Sequence, residues 1–374
     1  MNKNKRYNPN PYNATHAALA FLLFWAAMAV SSFALFSVLK GVRDSGKTIT
    51  DLTPYLCLES VVVAFALAAV TWIVSGIAKA NPVSGGGYLS RKGLGMEKFM
   101  AAVGVCGMSV LLAPLAETVA WDFGVVRSVF VESSAGIDPD LLGNGGLLVL
   151  YVFVLVPLLP AVFEELLFRG VIMRGFSEWG KTAGIILSAA AFALAHGNTD
   201  QIVYQFLFGL AVGFLVMETK SLGVGMVAHF TNNFFVQALA MVESIPTEWK
   251  MAKVYVAIIG IMSVLIGLVC FVAAFLYFGR RFLHSQKHSE KACLETRATF
   301  VVNDEVAGTL EEETVWHQTG KLLARSENDG FFTLGGRSRI KRNKKSKPKT
   351  AVTLTAIAFV VAVTRIFLAF FGIL

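Results

Sequence analysis

The sequence predicts an all-α membrane protein, a polytopic bundle of about eight or nine spans with a polar insert before the last one. Three observations predict it. Of 374 residues, 55% are hydrophobic and only 16% are Asp, Glu, Lys or Arg, where a soluble domain carries about 25% charged residues. The aromatic set leans toward lipid, with 30 Phe against 8 Tyr and 6 Trp, and the mean hydropathy is +0.62. Long apolar runs recur along the chain, each near the roughly 20 residues that cross a bilayer core as a helix. Together these exclude a soluble enzyme, a disordered chain and a fibrous rod.

The apolar runs fall, in order, at 17–39, 56–77, 99–115, 146–172, 182–195, 202–217, 222–241, 254–278 and 351–374. The first is too long for the core of a cleavable signal and no clear cleavage site follows it. The fifth is short and weakly bounded. The chain divides accordingly: a tail at 1–16, N-terminal spans within 17–145, a central segment at 146–242, a further span at 254–278, a polar insert at 279–350 and a last span at 351–374. Lys and Arg gather in the first tail (Lys3, Lys5, Arg6) and after the second, fourth, sixth and eighth runs. The loop after the third run is mostly acidic. By the positive-inside bias, the N-terminus and the insert are expected in the cytoplasm, and a cell membrane is the expected location.

The formal net charge of +8 is the charge of one block: Arg337, Arg339, Lys341, Arg342, Lys344, Lys345, Lys347 and Lys349. Next to an apolar run, such a block is expected to lie against anionic lipid. No aromatic or Gly-rich setting surrounds it, so no nucleic-acid partner is expected. The four cysteines, Cys57, Cys106, Cys270 and Cys293, have no CxxC spacing and suggest neither a disulfide scaffold nor a thiolate zinc site. Glu59 and Glu117, at or near span ends, read as interfacial, and Arg365 in the last run as snorkelling or lipid-docking.

Ionisable residues at bilayer depth are functional candidates, and one group stands apart. The fourth run holds Glu164, Glu165 and Arg169, the fifth ends Phe192-Ala193-Leu194-Ala195-His196, and the seventh holds His229 and Asn233. At about 1.5 Å per residue from a shared cytoplasmic side, Glu164 lies roughly 16 Å up, His196 about 21 Å, and His229 and Asn233 roughly 12 and 18 Å. These groups therefore converge near mid-bilayer. Glu165 and Arg169 have helical spacing for an ion pair, as His229 and Asn233 have for sharing a face. Glu164 and Glu165 lie about 100° apart on an ideal helix, so only one is expected to face the centre squarely. Pro157 and Pro160 each remove a helix hydrogen bond just above them. A carboxylate with histidines and an amide in low dielectric can activate water and stabilise an oxyanion; a structural polar network or an ion path uses the same residue types.

The ordered set Glu164-Glu165-x-x-x-Arg169, Phe192-x-x-x-His196 and His229-x-x-x-Asn233 resembles the CPBP family of intramembrane proteases, also called Abi, related to the type II CAAX prenyl endopeptidases. The resemblance covers about residues 146–240. It implies hydrolysis of a peptide bond in a membrane-embedded peptide or protein, with Glu164 as base on water, His196 holding that water, and His229 and Asn233 stabilising the oxyanion. Glu165, Arg169 and Phe192 are implied as supporting. The family is often called metalloprotease, so His196, His229 and Glu164 are the expected ligands if zinc is used, water alone being the alternative. No H-E-x-x-H occurs, which excludes a thermolysin-like site. The rival readings are an ion- or proton-coupled transporter, and a non-catalytic scaffold in bacteriocin immunity or protein sorting.

Overall fold

A computed structural model describes residues 10–44, 52–83, 95–123, 146–197, 202–243, 262, 264–283 and 348–370. The tail before residue 10, the acidic loop, nearly all of the polar insert with Cys293, and the basic block except Lys349 lie outside the described residues. What is described is helical, with no strand among it. We label the helices α1 (Ala14–Asp44), α2 (Thr53–Ala78), α3 (Gly95–Phe123), α4 (Gly146–Trp179), α5 (Lys181–Ala195), α6 (Ile202–Thr219), α7 (Leu222–Glu243), α8 (Val264–Leu283) and α9 (Pro348–Phe370). Each overlaps one of the nine apolar runs. Five of them (α1, α2, α4, α6 and α8) are long and apolar enough to cross a membrane, and α5 is a shorter apolar helix. The chain is a polytopic helical membrane bundle.

The contacts divide the chain into two units. One comprises residues 7–274 and 341–374, and the other comprises 1–6 and 275–340; of the latter only 275–283, the end of α8, is described. Within the first unit α4 is central, packed on α1, α2, α5 and α7. α5 and α6 form an antiparallel pair, α3 lies on α6 and α7, and α9 lies on α1 and α5. The deepest side chains, among them Phe21, Phe168, Phe176, Phe192 and Phe208, belong to α1, α4, α5 and α6. Outward faces carry exposed Phe33, Phe65, Val203 and Val360, as expected where lipid replaces water.

α4 departs from ideal helix in two places. Pro157 has no N–H for the carbonyl of Phe153 and its ring crowds that turn. The helix widens just before it: residues Tyr151–Leu155 are π-helical, and the Val156 N–H reaches back to the Tyr151 carbonyl. A second π-helical stretch, Glu165–Ile172, begins at the paired glutamates and ends with the Met173 N–H on the Phe168 carbonyl. The Ser188 hydroxyl of α5 also donates to that carbonyl at 2.8 Å. Such widened turns recur at functional sites because they shift side chains out of the regular helical phase.

The other end of α4 is tied to the segment before α1. Asn10 Nδ2 donates to the Arg174 carbonyl at 2.9 Å, and the Ala14 N–H donates to Glu178 Oε2 at 2.9 Å. Tyr12 shares a 2.8 Å hydrogen bond with Ser75 of α2. Burial pushes the Tyr12 phenol up, against the smaller pull of Ser75 and Arg174, so it stays a hydroxyl.

Candidate active site in α4, α5 and α7

The centre is a fully buried ion pair. Arg169 Nη1 donates to Glu165 Oε1 at 2.8 Å, and neither side chain is more than 1% exposed. The pair spans one turn of the π-helical stretch, as its i, i+4 spacing suggests. Arg169 Nη2 points at the Gly209 carbonyl of α6 at 3.5 Å, and the guanidinium carbon stands 4.4 Å over the Phe192 ring. A buried charge needs both a counter-charge and hydrogen-bond partners; Arg169 takes these from α4 and α6 and a ring face from α5, with its Nε left unpartnered.

The same Glu165 Oε1 lies 2.9 Å from His229 Nδ1. A carboxylate engaged by an arginine only accepts, so Nδ1 carries the proton and donates. Nε2 of His229 is thereby turned toward Glu164, whose Oε2 is 3.8 Å away. The ring is held edge-on between Phe192 and Phe208, with centroids at 5.6 and 5.2 Å. His196 is fixed in a similar way: its Nδ1 is 2.9 Å from the Phe192 carbonyl. That carbonyl can only accept, so in the neutral ring Nε2 is a bare acceptor. His196 sits in the field of Glu164, His229 and Arg169.

The two glutamates thus differ in role. Glu165 is completely buried and saturated on one oxygen by Arg169 and His229. The Glu164 side chain is 17% exposed, whereas Oε2 of each glutamate is buried without a hydrogen-bond partner, so exposure is what separates them. Both carboxylates lie near the His229 ring, but only Glu165 is hydrogen-bonded to it, at Nδ1, while Glu164 stands 3.8 Å from Nε2. The long side chains and the widened turn beginning at Glu165 make this possible.

Asn233 is half-buried. Its Oδ1 accepts from Asn232 Nδ2 at 3.3 Å, which leaves its own NH2 as the donor. The motif reading passed over Asn232. Its Oδ1 accepts from Ser109 of α3 at 2.8 Å and from the Tyr204 hydroxyl of α6, and Ser109 and Tyr204 are themselves 2.9 Å apart. A second polar cluster therefore stands behind Asn233. In the sequence only Asn232, three residues after His229 in an apolar helix, hints at it.

Gly225, one turn before His229, makes room for the ion pair. A Cβ there would lie 2.5 Å from Val216 Cγ2 and 2.9 Å from Glu165 Oε2. Gly225→Ala is expected to cost about 1–3 kcal/mol of stability, the usual range for overpacking. Gly223→Ala should cost far less, because its Cβ would meet chiefly the flexible end of Lys98 at 3.3 Å. Thermal unfolding of the two variants in detergent checks this; equal midpoints would show that the fit at Gly225 is loose.

Among the described residues, no three His, Cys, Asp or Glu side chains close to metal-holding geometry. Each histidine has its Nδ1 committed, as zinc ligands commonly have, yet Glu164, His196 and His229 as arranged do not fit a three-ligand zinc site.

Residues 146–235 match the family model described as type II CAAX prenyl endopeptidase Rce1-like. The match covers about a quarter of the chain. It runs from the start of α4 to just past Asn233 and holds all three motifs. No curated protein and no solved structure gives a match. At the family level the match supports a protease, and over residues 146–235 the chain is similar to the type II CAAX prenyl endopeptidases, consistent with the family that its three motifs resemble.

Proposed function

We propose that the protein is an intramembrane endopeptidase that hydrolyses a peptide bond of a membrane-embedded peptide or protein, with Glu164 as general base. The observation that carries this reading is the partly exposed Glu164 side chain, beside a histidine whose other nitrogen is held by Glu165. A base must reach water, and Glu165 is sealed away from it.

The step uses protein groups alone. Water rests between Glu164 and the bare Nε2 of His196. Its oxygen attacks the substrate carbonyl carbon as its proton passes to Glu164. The carbonyl π electrons move to oxygen, and that oxyanion takes hydrogen bonds from the Asn233 NH2 and from Nε2–H of a doubly protonated His229. With His229 so charged, two carboxylates, one guanidinium and one imidazolium sum to zero, which suits a site of low dielectric. Collapse breaks the C–N bond, the leaving nitrogen takes the proton from Glu164, and a carboxylic acid and an amine result. Glu165 and Arg169 act by holding His229 and the charge balance.

In this reading the N-terminus and the insert face the cytoplasm, and the basic run from Arg337 to Lys349 lies on anionic lipid. Substrate is captured on a Glu164→Gln variant, and the captured peptide is then offered to the unaltered protein in water enriched in oxygen-18. One labelled oxygen should appear in the new carboxylate. His196→Ala and His229→Ala should each lower the rate by about 10²-fold or more while the protein still inserts. Turnover without label, or no cleavage of any captured peptide, overturns the proposal.

A further inference from the structure

Arg365 of α9 takes no part in the site described. It is half-buried, in the last apolar run, where a cation is costly unless something answers its charge. Among the described residues, no carboxylate lies within ion-pair distance of it. Its guanidinium carbon stands 4.8 Å over the Trp25 ring of α1. That indole is only 6% exposed, and its Nε1, buried, has no acceptor. Among the described residues, then, the indole N–H has no acceptor and the guanidinium beside it has no carboxylate.

Their location is specific. The place where a Cβ on Gly197 would stand is 3.4 Å from Arg365 Nη1. Gly197 is the residue after His196 and has φ +68°, a conformation that a side chain rarely adopts. A Cβ there would meet the guanidinium only at ordinary contact distance, so the guanidinium lies against the turn that carries His196 without depending on the missing side chain. His196 and Gly197 are themselves partly exposed, so the approach is open. The end of α5 supplies a favourable dipole for a cation, but not the acceptor that a planar fork of donors matches best, a carboxylate or a phosphate.

We propose that Arg365, with Trp25 beneath it, is a carboxylate-binding subsite that takes an acidic group of the substrate chain and so sets which bond lies over Glu164. The assignment rests on the protease reading of the site. Its position beside His196 favours the substrate as the source of the anion over bulk lipid. An extended chain advances about 3.3–3.6 Å per residue, so the acidic group belongs within a few residues of the scissile bond.

The test uses the full chain in nanodiscs of zwitterionic lipid and a synthetic farnesylated peptide ending in three aliphatic residues. The peptide is made with a free C-terminal carboxylate, as the C-terminal amide, and as the amide with a terminal glutamate. Binding is read by fluorescence anisotropy in the Glu164→Gln background, and cleavage is read with Glu164 intact. The free acid should bind about tenfold or more tightly than the plain amide. Arg365→Gln should remove that difference, and Arg365→Lys should restore part of it. The glutamate peptide binding like the acid would place the carboxylate on a side chain as well as on a terminus, with Arg365 still the reader.

Equal binding of acid and amide, or binding of neither, overturns the subsite. So does an Arg365→Gln effect that is the same for both peptides, which would make Arg365 a cap for α5. An effect seen only after anionic lipid is added, and equal for both, would assign the site to lipid phosphate and also overturn it. Acid-selective binding without Glu164-dependent cleavage would sink the protease reading and leave the subsite standing; cleavage indifferent to the terminal charge would do the reverse.

Discussion

Glu164→Gln is expected to lower peptide cleavage by about 10²- to 10⁴-fold, the range in which a positioned general base contributes, with little change in folding. The change removes basicity and keeps the shape. The site should lose little stability, because Oε2 of Glu164 has no hydrogen bond to forfeit and lies 3.8 Å from His229. Glu165→Gln is expected to behave differently. It withdraws the negative partner of both Arg169 and His229 Nδ1, so activity and stability should fall together. Cleavage rates, set beside unfolding midpoints in detergent, separate the two. Normal turnover by purified Glu164→Gln would remove it as base. If Glu165→Gln alone were inactive yet as stable as the parent, the two roles would have to be exchanged.

Arg169→Leu is expected to be the most destabilising single change in the site, by about 3–5 kcal/mol, because it strands the fully buried Glu165 as an uncompensated charge. The leucine fills part of the space but answers neither the carboxylate, nor the Gly209 carbonyl, nor the face of Phe192. Adding Glu165→Gln to Arg169→Leu should recover part of the loss, since the stranded charge is then gone. Arg169→Lys should fall between, because an ammonium replaces the charge but not the planar fork. Denaturant or thermal unfolding of the four proteins measures this. An Arg169→Leu variant as stable as the parent would mean that water or another group reaches Glu165.

The sequence made the helices legible because each apolar run carries one helix and few charges. It made Glu164, Glu165, Arg169, His196 and His229 legible because ionisable groups are rare at that depth, and counting residues from shared turns places them at similar heights. Other features left no such trace. Ser109 and Tyr204 are ordinary residues for apolar helices, and only the packing of α3, α6 and α7 makes them partners of Asn232. The approach of both carboxylates to His229, at 2.9 Å for Glu165 and 3.8 Å for Glu164, is not legible on an ideal helical wheel, because the wheel assumes a constant 3.6-residue turn where α4 widens. Arg365 read as snorkelling or lipid-docking from its run alone; its place beside Gly197 depends on α9 lying against α1 and α5. The docking of Asn10 and Ala14 on the end of α4 joins residues more than 160 positions apart, with no periodic signal to mark it.

The widened stretch at Glu165–Ile172 also bears on how such a chain can change over evolutionary time. A π turn accommodates roughly one residue more than regular helix would. Beyond its first widened turn, α4 therefore runs in two phases, one set by packing just above Glu164 and one by Phe176 below, and the extra residue is the joint between them. A substitution there alters one side chain and leaves both phases intact. A single-codon deletion would close the turn and rotate one half against the other by about 100°, so that the two glutamates could no longer both lie near His229. In this stretch the number of residues is inherited under tighter constraint than the identity of most of them.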